Sequence, residues 1–162
     1  MTLRQPGKPQ TDFARKQPIR RLFPAIRRSA DCSILTLNQP LGSSSRPTDY
    51  LRAFERLATS RDQTLYVAER DGKVVGTFQT MIVTSLVGRG SSSMIIEAVQ
   101  TRGDMRGQGI GAQMIEFAIA EAKRRDLRLV QLASNASRTD AHRFYKRLGF
   151  KQSHLGFKMA LK

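Results

Sequence analysis

The sequence predicts one mixed α/β domain, a partly antiparallel sheet with helices on its faces. Three observations carry that expectation. β-branched and apolar runs flank Asp71-Gly72, a strong signal for an antiparallel hairpin. Beyond residue 94 the apolar spacing alternates between strand-like and helical in the order β-α-β-α-β, so the sheet is mixed. The length of 162 residues, 40% of them hydrophobic, suits a single core that buries roughly two-thirds of the unfolded surface.

The elements follow in order. A short strand is expected over 23–28 and a first helix over 30–40, then a loop by composition at 42–47. Thr48 or Asp49 can cap a helix through about Thr59, with Leu51, Phe54, Leu57 and Ala58 on one stripe. Strands over 65–69 and 73–81 form the hairpin. A second loop, Gly88-Arg89-Gly90-Ser91-Ser92, leads to a strand over 94–101. A long helix is expected over 109–124, carrying Ile110, Met114, Phe117, Ala118 and Ala122 at helical spacing. A Leu- and Val-rich strand over 127–133 and a helix over 139–148, stopped by Gly149, follow. Residues 150–161 read as a closing strand or hairpin.

Charge bounds the partners. Twenty-eight Lys and Arg against 13 Asp and Glu give a net charge of +15, which attracts polyanions such as nucleic acid, membrane headgroups or a phosphorylated cofactor. Arg4, Lys8, Arg15, Lys16, Arg20 and Arg21 sit among Pro6, Pro9 and Pro18 with Asp12 as the one nearby acid. Residues 1–23 therefore read as a basic, flexible arm and 24–162 as the folded domain. The arm is an inert extension, a nucleic-acid tail or a transit-like segment. Cys32 is the single cysteine, which excludes an internal disulfide and any multi-cysteine metal site. With His142 and His154 the only histidines, no metal is expected. No apolar run is long enough to span a membrane, and no signal-type stretch opens the chain. A cytoplasmic protein is expected.

The most informative segment is Arg106-Gly107-Gln108-Gly109-Ile110-Gly111, between a strand and the long helix. Glycines accept positive φ and let a ligand approach the backbone, leaving N–H groups exposed at a helix N-terminus. Those donors and the helix dipole favour a phosphate, and Arg106 adds a permanent charge. Gly107, Gly109 and Ala112 formally match the dinucleotide fingerprint. However, the next strand ends Leu132-Ala133-Ser134, with no acid to hold a ribose. No Gly-Lys-[Ser/Thr] follows either, so the triphosphate loop is also absent.

The turn over 106–112 resembles the acetyl-coenzyme A pyrophosphate loop of the GNAT superfamily of N-acetyltransferases. Ile96-Glu97-Ala98-Val99-Gln100-Thr101 is similar to that family's splayed central strand. The stretch from Asn135 through Ala141, Phe144, Tyr145, Gly149 and Phe150 resembles its A-x-x-F-Y-x-x-x-G-F block, and Ser153 to Lys158 resembles the close of small bacterial members. The likeness covers 24–162 and is specific from 94 onward. It implies a mostly antiparallel central sheet with a splayed parallel strand pair, and acetyl-CoA as co-substrate. The acetyl group would pass directly from thioester to amine. Two departures are mild: Arg102-Gly103 stands where proline is frequent, and the strand ends in Thr101 rather than valine.

The resemblance also implies roles. Val99, Gln100 and Thr101 would align the pantetheine through backbone bonds. N–H groups of Arg106, Gly107, Gln108, Gly109, Ile110, Gly111 and Ala112 would cradle the pyrophosphate. Asn135 would bond the cofactor arm, and Arg138, among nearby cations Arg143, Lys146 and Arg147, would meet the 3′-phosphate. Tyr145 takes the position of the general acid, its reference pKa of about 10 near enough to a thiol's to donate usefully; the alternative is a packed aromatic beside Phe144. Glu97, flanked by Ile95, Ile96 and Ala98, is the candidate general base, with a pKa raised by apolar surroundings. Against that stand a structural ion pair with an arginine or a water chain in its place. Cys32 is not expected to be a nucleophile, and His142 reads as a packing or surface residue.

The acceptor is expected to be a primary amine of a small molecule or peptide, in a pocket walled by 41–50 and 86–93. A nucleic-acid-linked amine such as aminoacyl-tRNA is the alternative that the charge motivates. A non-catalytic acetyl-CoA-binding regulator is the third reading. A homodimer is a common family arrangement.

Overall fold

The computed structural model describes residues 18–21 and 47–161. The strand expected over 23–28, the helix over 30–40 and Cys32 lie outside them. The elements are β1 (Ile19–Arg21), α1 (Pro47–Thr59), β2 (Gln63–Arg70), β3 (Lys73–Thr84), β4 (Ser92–Thr101), a 3-10 turn (Gly103–Met105), α2 (Ile110–Arg124), β5 (Leu129–Leu132) and α3 (Thr139–Arg147). Among the described residues they form one sheet in the order β1-β2-β3-β4-β5. The pairs from β1 to β4 are antiparallel and β4–β5 is parallel. This is the mixed sheet that the sequence predicts.

Local chemistry explains the elements. Asp71 and Gly72 both take positive φ, 51° and 72°, which matches the right-handed twist of a two-residue hairpin. Phe54 and Leu57 of α1 pack on Leu65, Val67 and Val74. The other sheet face meets α2, where Tyr66 stacks on Phe78 at 4.9 Å and Phe117 meets both edge-on. Met94, Ile96, Ile110, Met114, Ile115, Ala118 and Ala122 complete this larger cluster, so α2 is held along its length.

Four expectations are corrected. First, β5 begins at Leu129, not 127. Asp126 turns left-handed at φ 54°, while its N–H reaches Lys123 O and that of Leu127 reaches Ala122 O. That closes α2 in a Schellman-type cap, so Leu127 belongs to the helix stop. Second, α2 starts at Ile110 with Gly109 as its cap residue. Third, residues 150–161 carry no regular structure. Leu155, Phe157, Met159 and Leu161 alternate as a strand would, yet are 82–93% exposed. Alternation fits a side-chain pattern, whereas a strand also needs a backbone partner. Fourth, residues 19–21 of the stretch read as an arm form an edge strand. Ile19 is in register with Ala68, and Arg20 donates to both carboxylate oxygens of Glu69 at 2.8 and 2.6 Å.

Candidate active site

The site begins where the parallel pair comes apart. β4 is in register with β5 from Ser93↔Leu129 to Ile96↔Leu132. β4 then continues to Thr101, in register with β3 as far as Gly76↔Thr101. At the point of divergence Ala98 adopts φ 50°, and the β3–β4 register slips between Thr77 and Gln79. Such a bulge bends a strand and re-aims its side chains. Between β4 and β5 a V-shaped opening results, bordered by half-buried Val99, Gln100 and Thr101. An extended ligand backbone can add there as a strand does.

The glycine turn sits at the wide end of that V. Gly107 and Gly109 hold φ of 76° and 80°, a region side chains disfavour. The Arg106 N–H closes the turn on Gly103 O at 3.4 Å, and Gln113 N–H is bonded to Gly109 O at 3.0 Å. The amides of the first turn, from Ile110 to Ala112, have no preceding helical carbonyl to reach, so they are the donors offered at the N-terminus of α2. A Cβ on Gly111 would lie 3.4 Å from Phe144 Cζ and 3.8 Å from Thr101 Oγ1. Three distant blocks of sequence therefore converge at one glycine: the end of β4, the head of α2 and the middle of α3.

Sequence reasoning missed the brace behind the turn. Arg70, at the end of β2, donates through Nη1 to Gln108 Oε1 at 2.5 Å and lies 3.6 Å from Met105 Sδ. Gln108 Nε2 in turn donates to Asp104 O at 3.2 Å. Among the described residues both acceptors of Arg70 are neutral, so its cation stands close to the turn. Nothing local could reveal this, because Arg70 and Gln108 are 38 positions apart.

On α3, Tyr145 is half-buried between Phe144 and Phe150, edge-on to both at 5.1 and 6.0 Å. Burial pushes its phenol above the usual tyrosine range, against a smaller opposing pull from the Arg138 cation. The phenol thus stays protonated and ready to donate. Asn135 Oδ1 accepts from the N–H and hydroxyl of Ser137, both at 2.9 Å, so its oxygen builds the turn. His142 Nε2 sits 2.9 Å from Asn135 O and ties α3 to that turn. Arg138 lines an open depression with Ser137, Thr139, Asp140 and Ala141. Two residues beyond β5 the Ser134 hydroxyl is buried without a partner among the described residues.

Glu97 requires a correction. Its apolar neighbours predict a buried carboxylate, but the side chain is exposed. Strand alternation accounts for this, since Met94 and Ile96 point into the core and Glu97 takes the opposite face. Among the described residues no arginine pairs with it; it stands opposite Gln79. Among the described residues no helix is long and apolar enough to cross a membrane.

A parallel strand pair that parts beside a helix N-terminus, with the glycine turn between, defines a class of α/β fold with an open strand edge next to exposed amide donors. Comparison narrows the class. The model of the Acetyltransferase (GNAT) family matches residues 32–150, and the chain belongs to that family. It is 41% identical over 95 residues to the aminoalkylphosphonate N-acetyltransferase of Salmonella typhimurium (strain LT2), a match covering 59% of this chain and 61% of that protein. The chain thus spans less than two-thirds of this relative. A transcriptional regulator from Bacillus halodurans C-125 is 34% identical, with a TM-score of 0.78 over 90% of this chain and 99% of that one. Glucosamine-6-phosphate N-acetyltransferase from Arabidopsis thaliana shares the fold at 21% identity and a TM-score of 0.72, over 90% and 98% of the two chains.

Proposed function

We propose that the chain transfers an acetyl group from acetyl-CoA to the primary amine of a small anionic acceptor, of the aminoalkylphosphonate type. The observation that carries this reading is the divergence of β4 from β5 beyond Ile96↔Leu132, with the glycine turn at one end and Tyr145 beside it. Acetyl-CoA supplies the activated acyl group. Val99, Gln100 and Thr101 align its pantetheine along the unpaired edge of β4. First-turn amides of α2 and the Arg70 cation hold the pyrophosphate, where donors and helix dipole act together. Arg138 and the amide of Asn135 serve the rest of the cofactor.

Glu97 takes a proton from the incoming ammonium, directly or through water, so that the nitrogen lone pair is free to attack the thioester carbon. As the carbon–sulfur bond breaks, Tyr145 gives its phenolic proton to the departing sulfur; the second nitrogen proton, lost as the amide forms, restores the phenol, and the proton held by Glu97 passes to solvent. Holding amine and thioester together removes much of the entropic barrier, and the two proton transfers add their own acceleration. The exposed Glu97 fits this role because solvent and substrate can both reach it. A phosphonate-bearing acceptor suits a chain of net charge +15, since a basic surface draws anions to it. The 41% identity to the Salmonella enzyme supports the same acceptor class.

Thiol release from acetyl-CoA is the test, with 2-aminoethylphosphonate, amino acids, polyamines and aminoacyl-tRNA as separate acceptors. Release with the phosphonate alone is expected, and release with none would defeat the reading. A second reading, a regulator that binds acetyl-CoA without turnover, is favoured by the 34% identity to the Bacillus halodurans protein. Cofactor binding without release in any pool would select it.

A further inference from the structure

A polar row crosses the α1 face of the sheet beside the site. Leu65 is in register with Gln79 and Gln79 with Glu97. Residues directly opposite one another share a face, with Cβ atoms roughly 5 Å apart, and Gln63, two residues before Leu65, shares it as well. Leu65 packs beneath α1 with Phe54 and Leu57. The row thus runs from buried Leu65, through half-buried Gln79, to exposed Glu97.

Gln79 is tethered. Its Nε2 donates to Gln63 Oε1 at 3.1 Å, which fixes the amide plane and leaves the Gln79 carbonyl oxygen as an acceptor. Beside it lies the Glu97 carboxylate, which accepts only. We infer that Gln79 and Glu97 form the docking point for the acceptor's ammonium group, with Gln79 an amine-recognition residue and Gln63 its positioning partner. The inference rests on the acetyl-transfer reading for what happens next, but not for the binding itself.

The chemistry favours an amine over other head groups. An ammonium brings three donors and a positive charge; one N–H meets Glu97 and another meets Gln79. An alcohol of the same shape brings one donor and no charge. A neutral amide is also better here than a second carboxylate. Two carboxylates side by side repel one another, whereas Gln79 accepts a hydrogen bond without adding a charge. When Glu97 removes one proton, Gln79 still holds a second N–H, so the nitrogen does not turn as its lone pair is freed. Glu97 is the first residue of β4 beyond its last pairing with β5, and the bulge at Ala98 follows it directly.

Calorimetric titration of the coenzyme A-loaded chain with 2-aminoethylphosphonate and with 2-hydroxyethylphosphonate tests the inference. The wild type should bind the amine about tenfold or more tightly than the alcohol, as a charge-assisted hydrogen bond allows. Gln79→Leu should lose that preference with its coenzyme A affinity unchanged, Gln79→Glu should keep it, and Gln63→Ala should weaken it. No amine binding, equal binding of both ligands by the wild type, or an undiminished preference in Gln79→Leu would overturn the docking point. Acetyl transfer, assayed in parallel, separates the two readings. A Gln79-dependent amine preference in a chain that transfers nothing defeats only the catalytic reading. Transfer with an undiminished preference in Gln79→Leu defeats only the docking point.

Discussion

The two halves of β4 behave as different materials. From Ser92 to Ile96 the strand lies between β3 and β5, and its inward residues Met94 and Ile96 are 1% exposed. From Glu97 to Thr101 it keeps β3 as a partner, but β5 has left. The first half is fixed by packing and a double ladder. The second half has the same backbone chemistry with one side unspent, and every candidate ligand contact on the strand falls there. A single left-handed residue, Ala98, divides them. In this chain, function begins where a strand's second partner ends.

That contrast can be broken from either side. The largest effect is expected at Tyr145, whose replacement by Phe keeps the aromatic packing and removes the proton. In steady-state assays kcat should fall about 100-fold or more, with acetyl-CoA affinity unchanged. Because burial holds the phenol above its ordinary range and the protonated form is the active one, the alkaline limb of the kcat profile should lie above pH 10. It should vanish in Tyr145→Phe.

In the closed half, Ile96→Ala should cost about 2–5 kcal/mol in denaturant unfolding, through lost burial and a cavity. Across the bulge, Glu97→Gln should leave the melting temperature within a degree or two of wild type, since exposed substitutions fall within about 0.5 kcal/mol. Its kcat/KM should nonetheless drop about tenfold or more. Equal stability losses at 96 and 97 would erase the distinction between the halves.

Arg70→Met keeps much of the side chain's bulk and removes the charge and the bond to Gln108. The KM for acetyl-CoA should rise about three- to tenfold, the worth of one partly solvated charged contact, with kcat little changed. The smallest effect is expected at Glu121, whose carboxylate is held at about 2 by the guanidinium groups of Arg124 and Arg125. Its folded value lies below its unfolded one, so the stabilisation is complete above about pH 4.5 and is lost as pH falls towards 2. Glu121→Gln should flatten the acid slope of the melting temperature in that window and leave acetyl transfer untouched.

Much of this was legible from local patterns. The Asp71-Gly72 hairpin, the amphipathic α2 and the glycine turn are set by contacts or conformations close in sequence, and each lies where its residues predict. Errors arose where the deciding partner is remote. Apolar neighbours suggested burial of Glu97, but alternation places it on the face opposite Ile96, and what covers that face is decided by elements remote in sequence. The brace from Arg70 spans two strands and a turn. Residues 150–161 show the same limit, since alternation specifies a face while only a neighbouring edge specifies a strand. The start of β5 was misplaced because Leu127, apolar enough for a strand, is claimed by the cap of α2.

The edge strand at Ile19–Arg21 has a practical consequence for anyone trimming this chain. Judged by charge and proline content, the first two dozen residues invite removal before crystallisation or calorimetry. Cutting at residue 24 would strip β1 from the sheet and leave Glu69 without its bidentate arginine. The outer backbone of β2 would then face solvent over Tyr66 to Ala68, an invitation to pair with a neighbouring molecule. Cloudy samples from such a truncation would reflect the missing strand rather than an unstable domain, and a cut placed before Pro18 should keep them clear.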